Sequence, residues 1–318
     1  MRYAVGSCQP DAPLWLHSAR EPFLFFSRQH SGLQHTYLFF VRAGAVWCST
    51  RRKGTKEGLS GFPACTHDGW DAPRRCDMPL LAAWPCVFED RRRRQRTAPM
   101  SIRTGDSKGG ALDVNPSHLP HGNGTVGSGR VYCVGEGRDG ALSITTQLMM
   151  PFEPLKWQEC ATVSRRPNGG VRHPVLFAHR GLLWVYNTVI VRGQLQLELY
   201  FALDVEHEWK KHPQSPVAMG PETALCGGRV REVNGVLVRP ALDVSLYEGQ
   251  QMRAYAVTLL TPTSYEERPL MDEPMLEASG RGWRALGSRC WDALEEEDED
   301  GERTGDYLVV TDGYESMH

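Results

Sequence analysis

Short apolar runs alternate with stretches rich in glycine, proline and charge along the whole chain, and three of the runs are introduced in the same way. Glu21-Pro22-Phe23-Leu24-Phe25, Trp84-Pro85-Cys86-Val87-Phe88 and His173-Pro174-Val175-Leu176-Phe177 each place a polar or aromatic residue and a proline ahead of the apolar positions. A second apolar run follows each: Tyr37 to Val41, Val131 to Val134 and, across the turn His179-Arg180-Gly181, Leu182 to Tyr186. Proline has no N–H to give to a ladder, so it is tolerated at the first residue of a strand, and the phrase predicts where a strand enters a sheet. Recurrence at roughly 50–60 residues predicts a propeller, a ring of small antiparallel sheets whose first strands line a central channel.

The remaining pattern fills in the units. Strands are expected at Phe23 to Phe26, Thr36 to Arg42 and Ala45 to Ser49, then at Arg130 to Val134 and Leu142 to Gln147. The third unit runs from His173 to about Trp209, with a strand over Leu195 to Leu203. A fourth begins at Gly227-Gly228-Arg229, turns at Asn234-Gly235 and returns over Gln251 to Leu260; Asn-Gly between apolar segments signals a type I′ hairpin, since both residues accept positive φ. A fifth takes Ser288 to Ala293 as inner strand, the acidic run as loop and Tyr307 to Gly313 as return strand. The expected fold class is therefore all-β: a single five-bladed propeller over 1–318, with blades starting near 21, 84, 173, 228 and 290. Residues 51–80 predict loop with at most one edge strand. Residues 91–130 carry an arginine run and then Gly, Ser, Asn, Pro and His, which predicts a disordered insertion in the second blade. Trp157 and Trp209 close successive units and are expected to fill the gaps between blades, with sugar stacking as the alternative.

Composition agrees with this picture. The chain of 318 residues has 32 glycines and 21 prolines, suited to many tight turns, and no long amphipathic 3.6-residue period, so little helix is expected. A net charge of −2 gives no reason to expect nucleic acid as partner. The runs Arg91 to Arg96 and Glu295 to Asp300 are expected in solvated loops, the former with a nuclear-import or nucleic-acid patch as alternative. Nine cysteines include no C-x-x-C pair or zinc-finger spacing, so no metal and no cofactor are expected. Cys48, Cys86 and Cys133 lie inside apolar runs, where a thiol acts as a small hydrophobe. No window reaches the roughly 18–20 apolar residues of a membrane span, and the N-terminus lacks a signal-peptide core, so the chain as written is expected to be soluble.

From about Glu21 to Tyr314 the order of these phrases resembles the N-terminal domain of glucosamine inositolphosphorylceramide transferases. The matches are Glu21 to Phe25 with Tyr37 to Phe40, the segment Tyr132 to Trp157 with Glu136-Gly137 and Pro154 to Trp157, and Gly227-Gly228-Arg229 followed by Asn234 to Tyr265. The resemblance implies a five-bladed propeller related in shape to the furanosidase-type glycoside hydrolases. It also implies a glycosyltransferase domain as partner, absent from this sequence, and a Golgi lumen if a signal is missing from the chain. Departures are specific: the family's aspartates before the first Pro-Phe and at the third unit are Glu21 and His173 here. Its proline after Gly-Gly-Arg is Val230, and its paired histidines are Arg289 and Cys290. Glu136, Arg229, Asp243 and Asp292 keep the family residue.

The residues that open the units are expected to ring the channel mouth: Glu21, Trp84, His173, Arg229 and Asp292, with Glu136 and Asp243 on neighbouring strand ends. Carboxylates, a guanidinium fork and an aromatic face suit a polyhydroxylated ligand such as a glycan or glycolipid headgroup. The alternative is that the charges pair with one another and close the channel. Three functions stay open: a carbohydrate-binding or accessory module, a five-bladed furanosidase-type hydrolase, and a protein-interaction propeller. Hydrolysis needs two carboxylates about 5–9.5 Å apart across the scissile bond. The hydrolases take their acids from the first, third and fourth blades, where this chain has Glu21, His173 and Gly228-Arg229, so no catalytic residue is assigned.

Overall fold

The structure is a computed structural model, described over residues 3–5, 20–28, 34–53, 70–80, 84, 86–90, 130–147, 155–165, 169–281, 285–297 and 303–313. Its described residues form strands and turns in five sheets. The first sheet runs β2 (Arg20–Arg28), β3 (Gln34–Arg42), β4 (Ala45–Lys53) and β5 (Arg74–Arg75); ahead of it lies β1 (Tyr3–Val5). The second runs β6 (Val87–Asp90), β7 (Arg130–Glu136), β8 (Leu142–Thr146) and β9 (Gln158–Ser164). The third has β10 (Arg172–His179), β11 (Leu182–Val191), β12 (Gln194–Ala202) and β13 (Lys210–Lys211), with β14 (Ala218–Met219) also on β12.

In the fourth sheet β15 (Leu225–Cys226) and β16 (Arg231–Val233) share the inner position on β17 (Val236–Asp243). Beyond it come β18 (Gln251–Leu260), β19 (Tyr265–Pro269) and, also on β18, β20 (Leu276–Glu277). The fifth sheet is smaller: β21 (Trp291–Glu297), β22 (Arg303–Thr311) and β1, which joins β22 in parallel. All other pairings within the sheets are antiparallel, and the sheets are arranged as a β-propeller.

Side-chain clusters show how the sheets meet. Phe39, Cys48 and Trp157 share one between the first and second sheets; Tyr132, Ile144, Leu176 and Trp209 share one between the second and third. Tyr186, Leu199, Leu237 and Tyr265 join third to fourth, Leu242, Met252 and Trp291 fourth to fifth, and Phe40, Leu294 and Val310 fifth back to first. Each sheet is covered on both faces, so its middle strands need not alternate. Leu182–Val191 is buried at seven successive positions, Leu183 to Val189, although Asn187 and Thr188 fall among them. Their polar groups are met locally: Asn187 Oδ1 accepts from Arg172 N at 3.1 Å and Thr188 Oγ1 donates to Ala224 O at 2.6 Å. Thr145 and Thr146 on the wholly buried β8 likewise donate to Cys133 O and Val131 O. Full burial of one such aliphatic or aromatic side chain stabilises by about 1.5–3 kcal/mol, a gain that an unpaired hydroxyl would erode.

Several expectations change. The acidic run is not all loop, because Glu295 to Glu297 continue β21. β1 and β9 lie where no strand was expected. The Gly-Gly-Arg segment is not one continuous strand but the gap between β15 and β16. The arginine run and the insertion through residue 129 lie outside the described residues. Among those residues no helix is long and apolar enough to cross a membrane.

Candidate axial site

The first strands approach one another around one axis, and the irregularities of their entries aim the side chains there. Between Arg20 and Phe23 β2 advances three residues while its partner runs only from Val41 to Phe39; β10 does the same between Arg172 and Val175 against Thr188 and Tyr186. The extra residue falls in Glu21-Pro22 and His173-Pro174. A proline has no N–H to lose from the ladder, and a bulge re-aims its neighbours. Trp84 and His173, both followed by proline, sit at φ 53° and 46°, in the left-handed region that costs a non-glycine residue about 1–3 kcal/mol.

Five side chains, one from the first strand of each sheet or the segment leading into it, then meet in sequence. His173 of the third sheet stacks on Trp84 of the second, centroids 3.9 Å apart and planes 17° apart. Trp84 meets Phe23 of the first edge-on at 5.1 Å, and the guanidinium of Arg229 from the fourth lies 5.9 Å from the Phe23 centroid. Arg229 Nη2 is 3.1 Å from Oδ2 of Asp292 on β21, which completes the set. Asp292 is fully buried; its Oδ1 also accepts from Arg231 Nη2 at 3.1 Å and from Ala293 N at 3.0 Å. Arg229 and Arg231 are two apart on extended chain, which puts both on one face. The approach of the two strands depends on Gly228, where a Cβ would lie 1.9 Å from Trp291 O, and Trp291 N donates to Gly227 O at 2.8 Å.

His173 Nδ1 lies 2.7 Å from the carbonyl oxygen of Cys226, in the neighbouring sheet. A carbonyl only accepts, so Nδ1 carries the proton and the imidazole is held in one tautomer. Burial lowers its pKa to about 4, helped by Arg172 and Arg289 and opposed by the Cys226 hydrogen bond and Glu248. Glu248 and Arg289 face each other across 3.6 Å. Burial also pushes nearby thiols up, Cys86 to about 11, so they behave as packing groups.

Four of the seven residues expected to bind ligand therefore come together: Trp84, His173, Arg229 and Asp292. The backbone of Glu21 sits in the β2 bulge, and its side chain lies outside the described residues. Glu136 ends β7 at a hairpin turn, half-buried, and is not part of the chain of contacts just described. Asp243 ends β17 and caps the turn that follows, accepting from Ser245 N at 3.0 Å, Ser245 Oγ at 2.6 Å and Gln251 Nε2 at 2.5 Å. Burial raises its pKa, but these bonds and Arg253 outweigh it and hold the carboxyl below its usual range. Phe23, Arg231 and the Cys226 carbonyl were not foreseen; the two-residue period through Glu21 and Arg229 would have found the first two. Among the described residues no group of three His, Cys, Asp or Glu side chains could hold a metal.

Known proteins share both the sequence and the shape. The family model described as "Glucosamine inositolphosphorylceramide transferase 1, N-terminal" matches residues 108–313, well over half of the chain. Glucosamine inositolphosphorylceramide transferase 1 from Oryza sativa subsp. japonica, and its counterpart from subsp. indica, are each 25% identical over 168 residues. That match is 50% of this chain and only 21% of the rice proteins' length. In shape, the catalytic domain of a GH62 α-L-arabinofuranosidase from Coprinopsis cinerea is similar at TM-score 0.54 and 12% identity, over 95% of this chain and 86% of that one. A Podospora anserina α-L-arabinofuranosidase is similar at TM-score 0.52 and 11% identity, over 99% and 91%. At such identities these two establish the propeller fold alone. The family match across most of the chain carries further: this chain belongs to the family of the N-terminal region of glucosamine inositolphosphorylceramide transferase 1.

Proposed function

We propose that the chain is a carbohydrate-recognising propeller that serves a glycosyltransferase domain and does not itself cleave glycosidic bonds. Family membership and the transferase name of the rice relatives support the association with glycosyl transfer, and the Podospora anserina furanosidase of similar shape is in complex with cellotriose. The carrying observation is the state of Asp292. A glycosidase needs one carboxylic acid and one free carboxylate across the bond. Among the described side chains the axial carboxylate is Asp292, fully buried between two guanidinium groups, and the third and fourth sheets contribute an imidazole and an arginine. What remains for a polyol is the half-buried imidazole of His173, with the rim of the buried Arg229 guanidinium beside it; Trp84, 1% exposed beneath the imidazole, backs the site rather than offering a face to a sugar.

The test pairs hydrolysis with binding. The purified chain is expected to show no turnover of aryl furanosides or pyranosides above buffer while retaining glycans on a printed array. Turnover that disappears in Glu21→Gln would establish the hydrolase instead.

A further inference from the structure

The geometry points to Nε2 of His173 as a fixed hydrogen-bond acceptor for a ligand hydroxyl, backed by Trp84, so that the axial site selects neutral polyols over phosphorylated or carboxylated ones. This rests on the carbohydrate role proposed above and specifies the ligand class of the same site.

The Nδ1 proton is committed to the Cys226 carbonyl, so Nε2 carries the lone pair. Nε2 has no hydrogen bond to any described residue and is not among the fully buried polar atoms that lack a partner, so this atom keeps some exposed surface on a ring otherwise covered by its neighbours. The ring cannot swing freely. It is stacked 3.9 Å from Trp84, tied through Nδ1, and carried on backbone at φ 46° followed by Pro174. A tethered second nitrogen that sets the role of the first is a familiar way of preparing an imidazole to meet a ligand.

Burial keeps the ring neutral, and the charges around it nearly offset one another. Arg172 lies on its own strand, Glu248 on the connection from β17 to β18, and Arg289 ahead of β21; Glu248 and Arg289 pair, and Trp84 on the second-sheet side is uncharged. With the pKa near 4, the acceptor persists through the neutral and mildly acidic range. A lone pair accepts from a hydroxyl and repels the oxygens of a phosphate or carboxylate, which would require a proton on Nε2. Selectivity of this kind is set by which buried or fixed group is left unpaired with the wrong ligand.

The test uses the full chain labelled with 15N-histidine and a panel of methyl furanosides, methyl pyranosides, myo-inositol and myo-inositol 1-phosphate. Asparagine at 173 keeps an N–H where Nδ1 stood and tolerates left-handed backbone, but has no atom at Nε2; glutamine returns an amide oxygen to that region. We expect His173 as the Nδ1–H tautomer, a neutral member of the panel that shifts the Nε2 resonance, roughly tenfold weaker binding in His173→Asn, and partial recovery in His173→Gln. Binding that leaves Nε2 unshifted and survives His173→Asn overturns this inference and leaves the carbohydrate role standing, as does preference for the inositol phosphate. An Nε2–H tautomer also overturns it. No binding by any panel member overturns both.

Discussion

Asp292 holds two guanidinium groups with one carboxylate and has no surface of its own, so its removal leaves two arginines short of their counter-charge inside the axis. Breaking a buried pair costs about 3–5 kcal/mol, mainly through the charge left behind. Asp292→Ala is expected to lose stability on that scale in urea titrations, and a loss below about 1 kcal/mol would show that water reaches the arginines. His173 supplies a pH signature. Its folded pKa of about 4 lies below the ordinary 6.5, so between those values the unfolded chain binds more protons. Stability therefore falls as pH drops from about 6.5 toward about 4, and His173→Asn should flatten that part of the profile. An unchanged slope in the variant would assign the pH effect to other groups, His179 among them.

Strands and turns respond according to what surrounds their backbone. Gly228 and Gly235 make the contrast: a Cβ at Gly228 would strike Trp291 O at 1.9 Å, whereas at Gly235 it meets nothing within 4 Å and only φ of 76° opposes it. Gly235→Ala is expected to cost about 1 kcal/mol. Gly228→Ala should cost several times more, seen as a lower melting temperature, since the fourth and fifth sheets must part; equal effects would contradict the account of the axis. Removing Tyr3–Val5 is expected to speed amide exchange in β22, the strand that β1 pairs, while β11 and β18 stay protected. Hairpins bounded by apolar runs were legible in the sequence, and β18 falls on the expected Gln251 to Leu260. β9 was not, because its edge position leaves a weak pattern of exposed and half-buried residues. Nor was β1, whose partner is some 300 residues away and leaves no local trace.

At the scale of the molecule, the ring of interfaces explains both what the sequence revealed of the site and what it hid. The phrase that opens each unit marks first strands, and first strands reach the axis, so Trp84, His173, Arg229 and Asp292 could be named from order alone. Asp243 and the end of β7 lie at the same end of their sheets but on second strands, about 4.8 Å farther out, where a carboxylate caps a turn instead. The pairing of Arg229 with Asp292 depends on how the fourth and fifth sheets meet, which no local pattern encodes. That pairing is compatible with a site as well as a plug, because the half-buried imidazole of His173, stacked on Trp84, still stands near it on another sheet.

The most direct test of an axial carbohydrate site is a glycan array, with furanosides, pyranosides and inositol headgroups, probed with the wild-type chain, Trp84→Phe and Arg229→Lys, each accompanied by a melting curve. The wild type is expected to retain a subset of neutral glycans, and each variant to lose those spots beyond any change explained by its melting temperature. A blank wild-type array, with both variants melting lower, would show that the five-residue cluster only closes the axis.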